Sequence, residues 1–348
     1  MANIMMTDVC NLHCPYCFAN EFVNKERNEI SDEAFQKAVD FILGDASHSS
    51  VGLIGGEPTT HAHFDALMRK LLLDNRAKAV VVYTNGILID RFWDVICHPK
   101  THLLINCNPP QDIGEKNFQK LSDNLHILIN QKLCKDRVTL GINMYRPDFE
   151  YDYLLRLLKE FSFNHVRVSI TVPNLEDDRN MDAHVYFEEM KPRMFEFFHA
   201  LFKHNIIPNF DCNKIPSCLI KEKELEAFRP YLQNSFIAQH IGKSNVASTE
   251  VHCNPVIDIR QDLTAVRCFG LSSCTKQNIE NFTGIHELQN YYLREIDAYA
   301  YNTVYNHKCV DCHLRQVMKC SGGCLAYKIN EIKALSDTAK QFMRKYEA

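Results

Sequence analysis

The sequence predicts an α/β fold: a partial (open) TIM-type barrel of about six βα units, followed by a small cysteine-rich C-terminal domain. Three observations predict it. Six short apolar runs alternate with helix-periodic segments, the alternation stops near Cys253, and cysteines gather at both ends of the chain.

The strand-like runs are Asn3–Met6, Val51–Ile54, Ala79–Thr84, Leu103–Asn106, Val138–Asn143 and Val166–Thr171. Helical stripes lie between them. Ser31 is placed to cap a helix that presents Phe35, Ala38, Val39 and Ile42 on one face. Phe64, Leu67, Met68, Leu71 and Leu72 repeat the spacing, as do Leu154, Leu155 and Leu158. Six units are too few to close an eight-unit barrel, so the sheet is expected to stay open. The segment from about 185 to 245 reads as helical and charged, with Lys221–Glu224 a solvated face. The division follows as residues 1–210 for the barrel, 211–250 for a helical connector and 251–348 for the cysteine-rich domain.

With 46% hydrophobic and 24% charged residues, the 348-residue chain can bury a substantial core. A formal charge of −4 supplies no basic field for nucleic acid. Neither a secretory signal nor a membrane-length apolar run stands out, so the cytoplasm is the expected compartment, with no membrane partner. Fifteen cysteines in a reducing compartment call for metal rather than disulfides.

Cys10-Asn-Leu-His-Cys14-Pro-Tyr-Cys17 follows the first strand as a C-x3-C-x2-C triplet. Three thiolates on one loop can hold three corners of a cubane and leave the fourth iron open. A structural zinc ion would need a fourth side chain, and His13 is poorly placed to share a metal with its neighbour Cys14. Gly55-Gly56-Glu57-Pro58 ends the second strand and Thr84-Asn85-Gly86 the third.

This series resembles the radical S-adenosylmethionine (radical SAM) superfamily, with Tyr16 as the aromatic residue of its cysteine signature. The resemblance implies a [4Fe-4S] cluster on Cys10, Cys14 and Cys17, whose open iron chelates the methionine part of S-adenosylmethionine. Reductive cleavage of that cofactor then gives a 5′-deoxyadenosyl radical. It further implies cofactor contacts from Tyr16, Gly55, Gly56, Glu57, Pro58, Thr84 and Asn85, with Glu57 accepting from the methionine ammonium and the glycines allowing close backbone approach.

Strand parity extends the site. Thr139, Gly141 and Asn143 share one face of the fifth strand; matching parity puts Asn106 and Asn108 inside on the fourth, and Arg167, Ser169 and Thr171 on the sixth. Asn106, Asn143 and Ser169 are candidates for ribose or carboxylate contacts, and Arg167 for a carboxylate. The alternative is that these groups bond one another or water. Leu140, Ile142, Val166, Val168 and Ile170 face the helices, and Cys107 is read as structural. His61 and His63 are read as surface or capping residues.

Cys309, Cys312, Cys320 and Cys324 form C-x2-C-x7-C-x3-C, preceded by Cys253, Cys268 and Cys274. The arrangement resembles the SPASM auxiliary domain (or its smaller twitch-like form) of peptide-modifying radical enzymes, which implies one or two auxiliary [4Fe-4S] clusters. Three departures stand out: a central gap of seven residues instead of five, no cysteine after Cys324, and no glycine between Cys253 and Cys268. Seven thiols fall one short of two fully ligated cubanes. Cys212, Cys218, a non-cysteine ligand or an open iron are the alternatives, as is a single auxiliary cluster. Structural zinc on Cys309, Cys312, Cys320 and Cys324 near His307 or His313 is the competing reading.

The resemblance points to peptide or protein maturation of the RiPP type: crosslinking, thioether formation, epimerisation or side-chain oxidation. A flavodoxin or ferredoxin would donate electrons. With the triplet starting at residue 10, no N-terminal peptide-binding domain is expected, so a leader peptide would need a separate recognition protein. Phe269 stands where the sulfatase-maturing branch has aspartate. Radical oxidation or rearrangement of a small-molecule intermediate is the second reading, and a non-enzymatic iron–sulfur redox protein the third. The sequence identifies no catalytic acid, base or hydrogen donor.

Overall fold

The computed structural model describes residues 2–171 other than 18 and 21, together with 183–210, 215–244, 246, 253, 256–271, 276–298 and 309–326. The elements that matter here are β1 (Ala2–Met5), α1 (Asp32–Leu43), β2 (Ser50–Ile54), α2 (Phe64–Leu73), β3 (Ala79–Thr84), β4 (Thr101–Asn106), α3 (Glu115–His126) and β5 (Val138–Met144). They continue with α4 (Asp152–Glu160), β6 (His165–Ile170), α5 (Ala183–Lys203), β7 (Ile207–Phe210), β8 (Ile257–Ile259), β9 (Thr264–Val266), β10 (Gln277–Asn278) and α6 (Ile285–Tyr292). The chain packs as two units, residues 1–139 with 255–293 and residues 140–254 with 294–346.

In the first unit the strand order is β10-β9-β8-β1-β2-β3-β4, and the sheet stays open. Strands β8, β1, β2, β3 and β4 run parallel; β9 and β10 are antiparallel. Helix α1 begins where Ser31 Oγ accepts the Ala34 N–H at 3.1 Å, with Asp32 and Glu33 in the first turn where the helix dipole favours them. Its buried stripe of Phe35, Ala38, Val39, Ile42 and Leu43 covers β1 and β2. Helix α2 buries all five residues that the periodicity singles out.

All six expected strands form. From Cys253 onward the alternation is expected to give way to loops and short strands; one such strand, Ile257–Ile259, pairs in parallel with β1, extending the first sheet on the side opposite β2. Its three-residue length and central aspartate hid it, because period-2 patterning needs a longer run to show.

That aspartate is held by a neighbour on β1. Register places Asn3 beside both Gly52 and Asp258. Asn3 Nδ2 donates to Asp258 Oδ1 at 2.7 Å, and only a glycine leaves room opposite, since a Cβ on residue 52 would fall 1.9 Å from Asn3 Oδ1.

In the second unit β5, β6 and β7 pair in parallel, aligning Gly141 with Arg167, Asn143 with Ser169, and Arg167 with Asn209. Leu140, Ile142, Val166, Val168 and Ile170 are buried, as parity predicts. On α4 the stripe includes Leu157, while Leu155 is only half-buried, a correction to the expected face. Strand β7 lies inside the segment read as helical and charged; its Ile-Pro-Asn-Phe sequence carries no alternation. Helix α5 buries Phe187, Phe197, Phe198 and Phe202, and its Lys191 is buried too, paired with Glu188 at 2.8 Å and Glu224 at 3.2 Å. Of the run Lys221–Glu224, the first three residues are exposed as expected and Glu224 turns to Lys191. No helix among the described residues is long and apolar enough to cross a membrane.

Asp258 yields a stability prediction. Burial, partly offset by bonds from Asn3 and the Phe269 backbone, pushes its carboxyl up to about 7. The folded state therefore favours the neutral acid. That stabilisation is full below the unfolded value of 3.8 and is lost as pH rises through about 7. Asp258→Asn is expected to remove a loss of a few kcal/mol, to order of magnitude, between acid and mildly alkaline pH. Urea unfolding of parent and variant at about pH 5 and pH 8 tests this; equal slopes against pH refute it.

Candidate active site

The first unit gathers its polar residues at the carboxyl ends of β1, β2, β3 and β4, the edge where parallel sheets build sites. The loop after β1 carries Cys10, Cys14 and Cys17, all partly buried. Cys10 packs with Cys17 against Met5, Ala19, Val23 and Ile54, and with Cys14 against Leu12, Ile87 and Ile113. A local turn, Cys17 N–H to Cys14 O at 3.1 Å, brings the last two together.

Burial dominates the thiols' electrostatics. It pushes Cys10 up to about 12, helped by the charges of Glu57, Cys14 and Cys17, and pushes Cys14 up to about 11. Cys17 is raised by burial as well. Such thiols ionise readily only against a cation. Two of them already accept N–H groups, from Leu12 at 3.4 Å onto Cys10 and from Asn108 Nδ2 at 3.6 Å onto Cys14, as sulfur ligands of an iron cluster do. The donor set therefore fits a cluster held on three corners. No three Cys, His, Asp or Glu side chains among the described residues stand round one ion position.

Tyr16 is tied in by Asn108, which accepts its hydroxyl and donates to Cys14. Asn108, 3% exposed, is thus a site residue that strand parity put on the inner face but did not single out. The signal was its place two residues after Asn106 at the end of β4.

The Gly55-Gly56-Glu57-Pro58 turn packs closely against the chain's own backbone. A Cβ on Gly55 would meet Thr7 O at 2.6 Å, and one on Gly56 would meet Val9 O at 2.4 Å. The glycines let the turn lie against the chain's own backbone, with Gly56 N–H donating to Thr7 O (2.7 Å) and Glu57 N–H to Val9 O (2.9 Å). Thr60 Oγ1 adds a bond to Val9 O at 3.0 Å.

Glu57 is 1% exposed and fully engaged. Oε1 accepts from the Thr59 hydroxyl (2.6 Å), the Thr84 hydroxyl (2.7 Å) and Thr59 N–H (3.2 Å); Oε2 accepts from Asn85 N–H at 2.7 Å. Burial raises its carboxyl, and these bonds pull it back down. Glu57 thereby joins the ends of β2 and β3. Asn85 Nδ2 then reaches Asn11 Oδ1 at 2.7 Å, inside the cysteine loop. Asn106 is half-buried beyond Ile105, and Cys107 is buried at 1% exposure.

Residues 4–113 match the family model described as the Radical SAM superfamily. That stretch is similar to a radical SAM domain. The fold agrees across almost the whole chain. The structure of Streptococcus suis SuiB bound to S-adenosylmethionine has a TM-score of 0.60 at 16% identity, covering 97% of this chain and 75% of that one. SuiB bound to its precursor peptide SuiA gives 0.57 at 15% identity, over 96% and 72%. No curated protein matches the sequence significantly.

The remaining candidates fall elsewhere. Asn143, Arg167 and Ser169 share one face in the second unit, where Arg167 Nη1 donates to Asn143 Oδ1, and Asn209 on β7 joins them with its Oδ1 unpaired. Sequence parity missed Asn209 because it missed β7. His61 is buried, with one ring nitrogen on Ile30 O (3.0 Å) and the other accepting His63 N–H (3.0 Å); His63 pairs with Asp32 at 3.1 Å. His63 is thus a surface residue, as expected, whereas His61 is buried, its ring accepting the N–H that precedes α2. Cys268 follows β9 in the first unit, while Cys253, Cys309, Cys312, Cys320 and Cys324 belong to the second. Cys274, Cys212 and His307 lie outside the described residues.

Gly56→Ala is expected to push the turn off Val9, at about 1–3 kcal/mol of overpacking. Because the same backbone leads directly to Cys10, the iron bound per chain after anaerobic reconstitution should fall as well. Parallel urea unfolding and iron assays test both, and parental iron content in the variant would sink the link between turn and loop.

Proposed function

We propose that this protein is a radical SAM enzyme that modifies a peptide or protein substrate, with auxiliary iron–sulfur clusters in its C-terminal region. The observation that carries the radical chemistry is the cysteine loop itself. Three partly buried thiols stand at the carboxyl end of a parallel sheet, fixed by the Gly55–Glu57 turn on one side and Asn108 on the other. When bound, a [4Fe-4S] cluster supplies the electron that cleaves S-adenosylmethionine to a 5′-deoxyadenosyl radical.

The chain's own residues do the positioning. Cys10, Cys14 and Cys17 hold the cluster and leave its fourth corner to the cofactor. The Leu12 N–H and Asn108 amide place positive dipoles on the sulfurs, which favours the reduced cluster. Tyr16 is oriented by Asn108, and Glu57 keeps Thr84 and Asn85 at the rim, with Gly55 and Pro58 shaping the same edge. Asn106 extends this rim; Asn143, Arg167 and Ser169 offer a second polar face for the cofactor or the substrate. Leu12, Ile87 and Ile113 exclude water beside Cys10 and Cys14, which protects a reactive radical.

The peptide reading is supported by the fold shared with SuiB, a protein whose structure holds a precursor peptide. It is supported also by the cysteine series Cys253, Cys268, Cys274, Cys309, Cys312, Cys320 and Cys324, which would hold one or two auxiliary [4Fe-4S] clusters. A flavodoxin or ferredoxin is the proposed electron donor.

Anaerobic reconstitution with iron, sulfide, S-adenosylmethionine and dithionite should yield 5′-deoxyadenosine from the parent and none above background from Cys14→Ala. Failure of the reconstituted parent to form it would sink the radical assignment. A candidate peptide should raise 5′-deoxyadenosine formation and itself change mass; stimulation by a small-molecule alcohol instead would move the substrate assignment.

A further inference from the structure

The auxiliary reading leaves a deficit of one: seven C-terminal thiols against the eight that two fully ligated cubanes require. A turn far upstream in the chain, within the second unit, lies beside those thiols. Leu219 N–H closes the turn onto Pro216 O at 2.9 Å, and the buried Lys191 ammonium anchors it by donating to Leu219 O at 2.6 Å. Pro216 in turn touches the Cys320–Cys324 loop. Gly323 adopts φ +93°, and a Cβ there would stand 3.5 Å from Pro216 Cγ.

The residue this turn carries is Cys218, whose side chain is exposed and belongs to no cysteine motif of the sequence. Desolvation comes first among the influences on its thiol; Cys320, Cys309 and Cys312 follow, each near enough for its charge to be felt. Local bonds fix the chain at those three. Cys309 O accepts Cys312 N–H at 3.4 Å in a tight C-x2-C turn, and Cys320 Sγ accepts Gly322 N–H at 3.2 Å.

We propose that Cys218 is the fourth ligand of the auxiliary cluster held by Cys309, Cys312 and Cys320. The inference rests on the auxiliary-cluster reading above. On ligation the thiol gives its proton to solvent and binds iron as thiolate, with no change of oxidation state at sulfur. The Lys191–Leu219 bond then has a purpose: it holds a ligand-bearing turn in place from inside the unit.

The test begins with Cys10→Ala/Cys14→Ala/Cys17→Ala, which removes the first cluster. This protein, reconstituted anaerobically, should still hold iron and sulfide; if it holds none, or holds zinc, the auxiliary reading fails and the proposal with it. Adding Cys218→Ala should remove up to one cluster, about four irons per chain, or leave a three-iron cluster visible by EPR. Cys212→Ala should change neither. Full iron content with no three-iron signal in the Cys218→Ala protein overturns the proposal while leaving the auxiliary clusters intact. A second measurement needs no variant. In the reconstituted parent, exposed Cys218 should resist iodoacetamide until iron is chelated away, as mass spectrometry of the digest would show. Immediate alkylation overturns the assignment.

Discussion

The cysteine loop has little structure of its own, so something rigid must carry it. Two backbone bonds do this, from Gly56 to Thr7 and from Glu57 to Val9, and they form only because residues 55 and 56 have no side chain. Each would-be Cβ falls within 2.6 Å of a backbone oxygen, a distance that no rotamer change relieves. The turn after β2 thus becomes a template on which the chain leaving β1 is laid down. Glu57 fixes that template by gathering hydroxyl and N–H donors from Thr59, Thr84 and Asn85. A buried carboxylate is expensive, but one with four donors is rigid. The strand ends of β1, β2 and β3 are thereby linked through polar groups rather than through apolar packing.

This arrangement shows that a short motif expected to approach a ligand serves as scaffolding as well. Gly-Gly-Glu-Pro was legible as a position where backbone must come close to something; that the partner is Thr7–Val9 was not, because the partner's identity depends on strand register. Asn108 shows the same limit. Parity put it on the inner face, yet its bonds to both Tyr16 and Cys14 follow from a loop geometry that alternation does not encode.

The fold was legible where runs were long. β1 to β6 and the stripes of α1 and α2 appear where the patterning puts them, since an apolar run of four or more residues between turn signals, or a full helical repeat, averages over local exceptions. It was illegible where elements were short or carried buried polar residues. Ile257–Ile259 has an aspartate at its centre, which is tolerated only because Asn3 stands opposite and Gly52 clears the space. Ile207–Phe210 has a proline and no alternation. Such strands take their place from the neighbours they pair with, so their own sequence carries little of the information.

The proposed metal-binding residues divide in the same way. Cys10, Cys14 and Cys17 lie within one loop, so spacing alone announces them, and the protein has only to dry and orient the loop. A ligand drawn from a distant segment has no spacing to betray it. Cys218 stands about ninety residues before Cys309, and what joins them is tertiary: a turn pinned by the buried Lys191 and seated against Gly323. Buried lysines cost several kcal/mol unless paired, and this one is satisfied by Glu188, Glu224 and the Leu219 carbonyl together. That outlay is hard to account for by packing, since an apolar side chain would fill the volume without it. It is accounted for if the Leu219 carbonyl must stay where the ammonium holds it, because the residue beside it carries a thiol whose position matters.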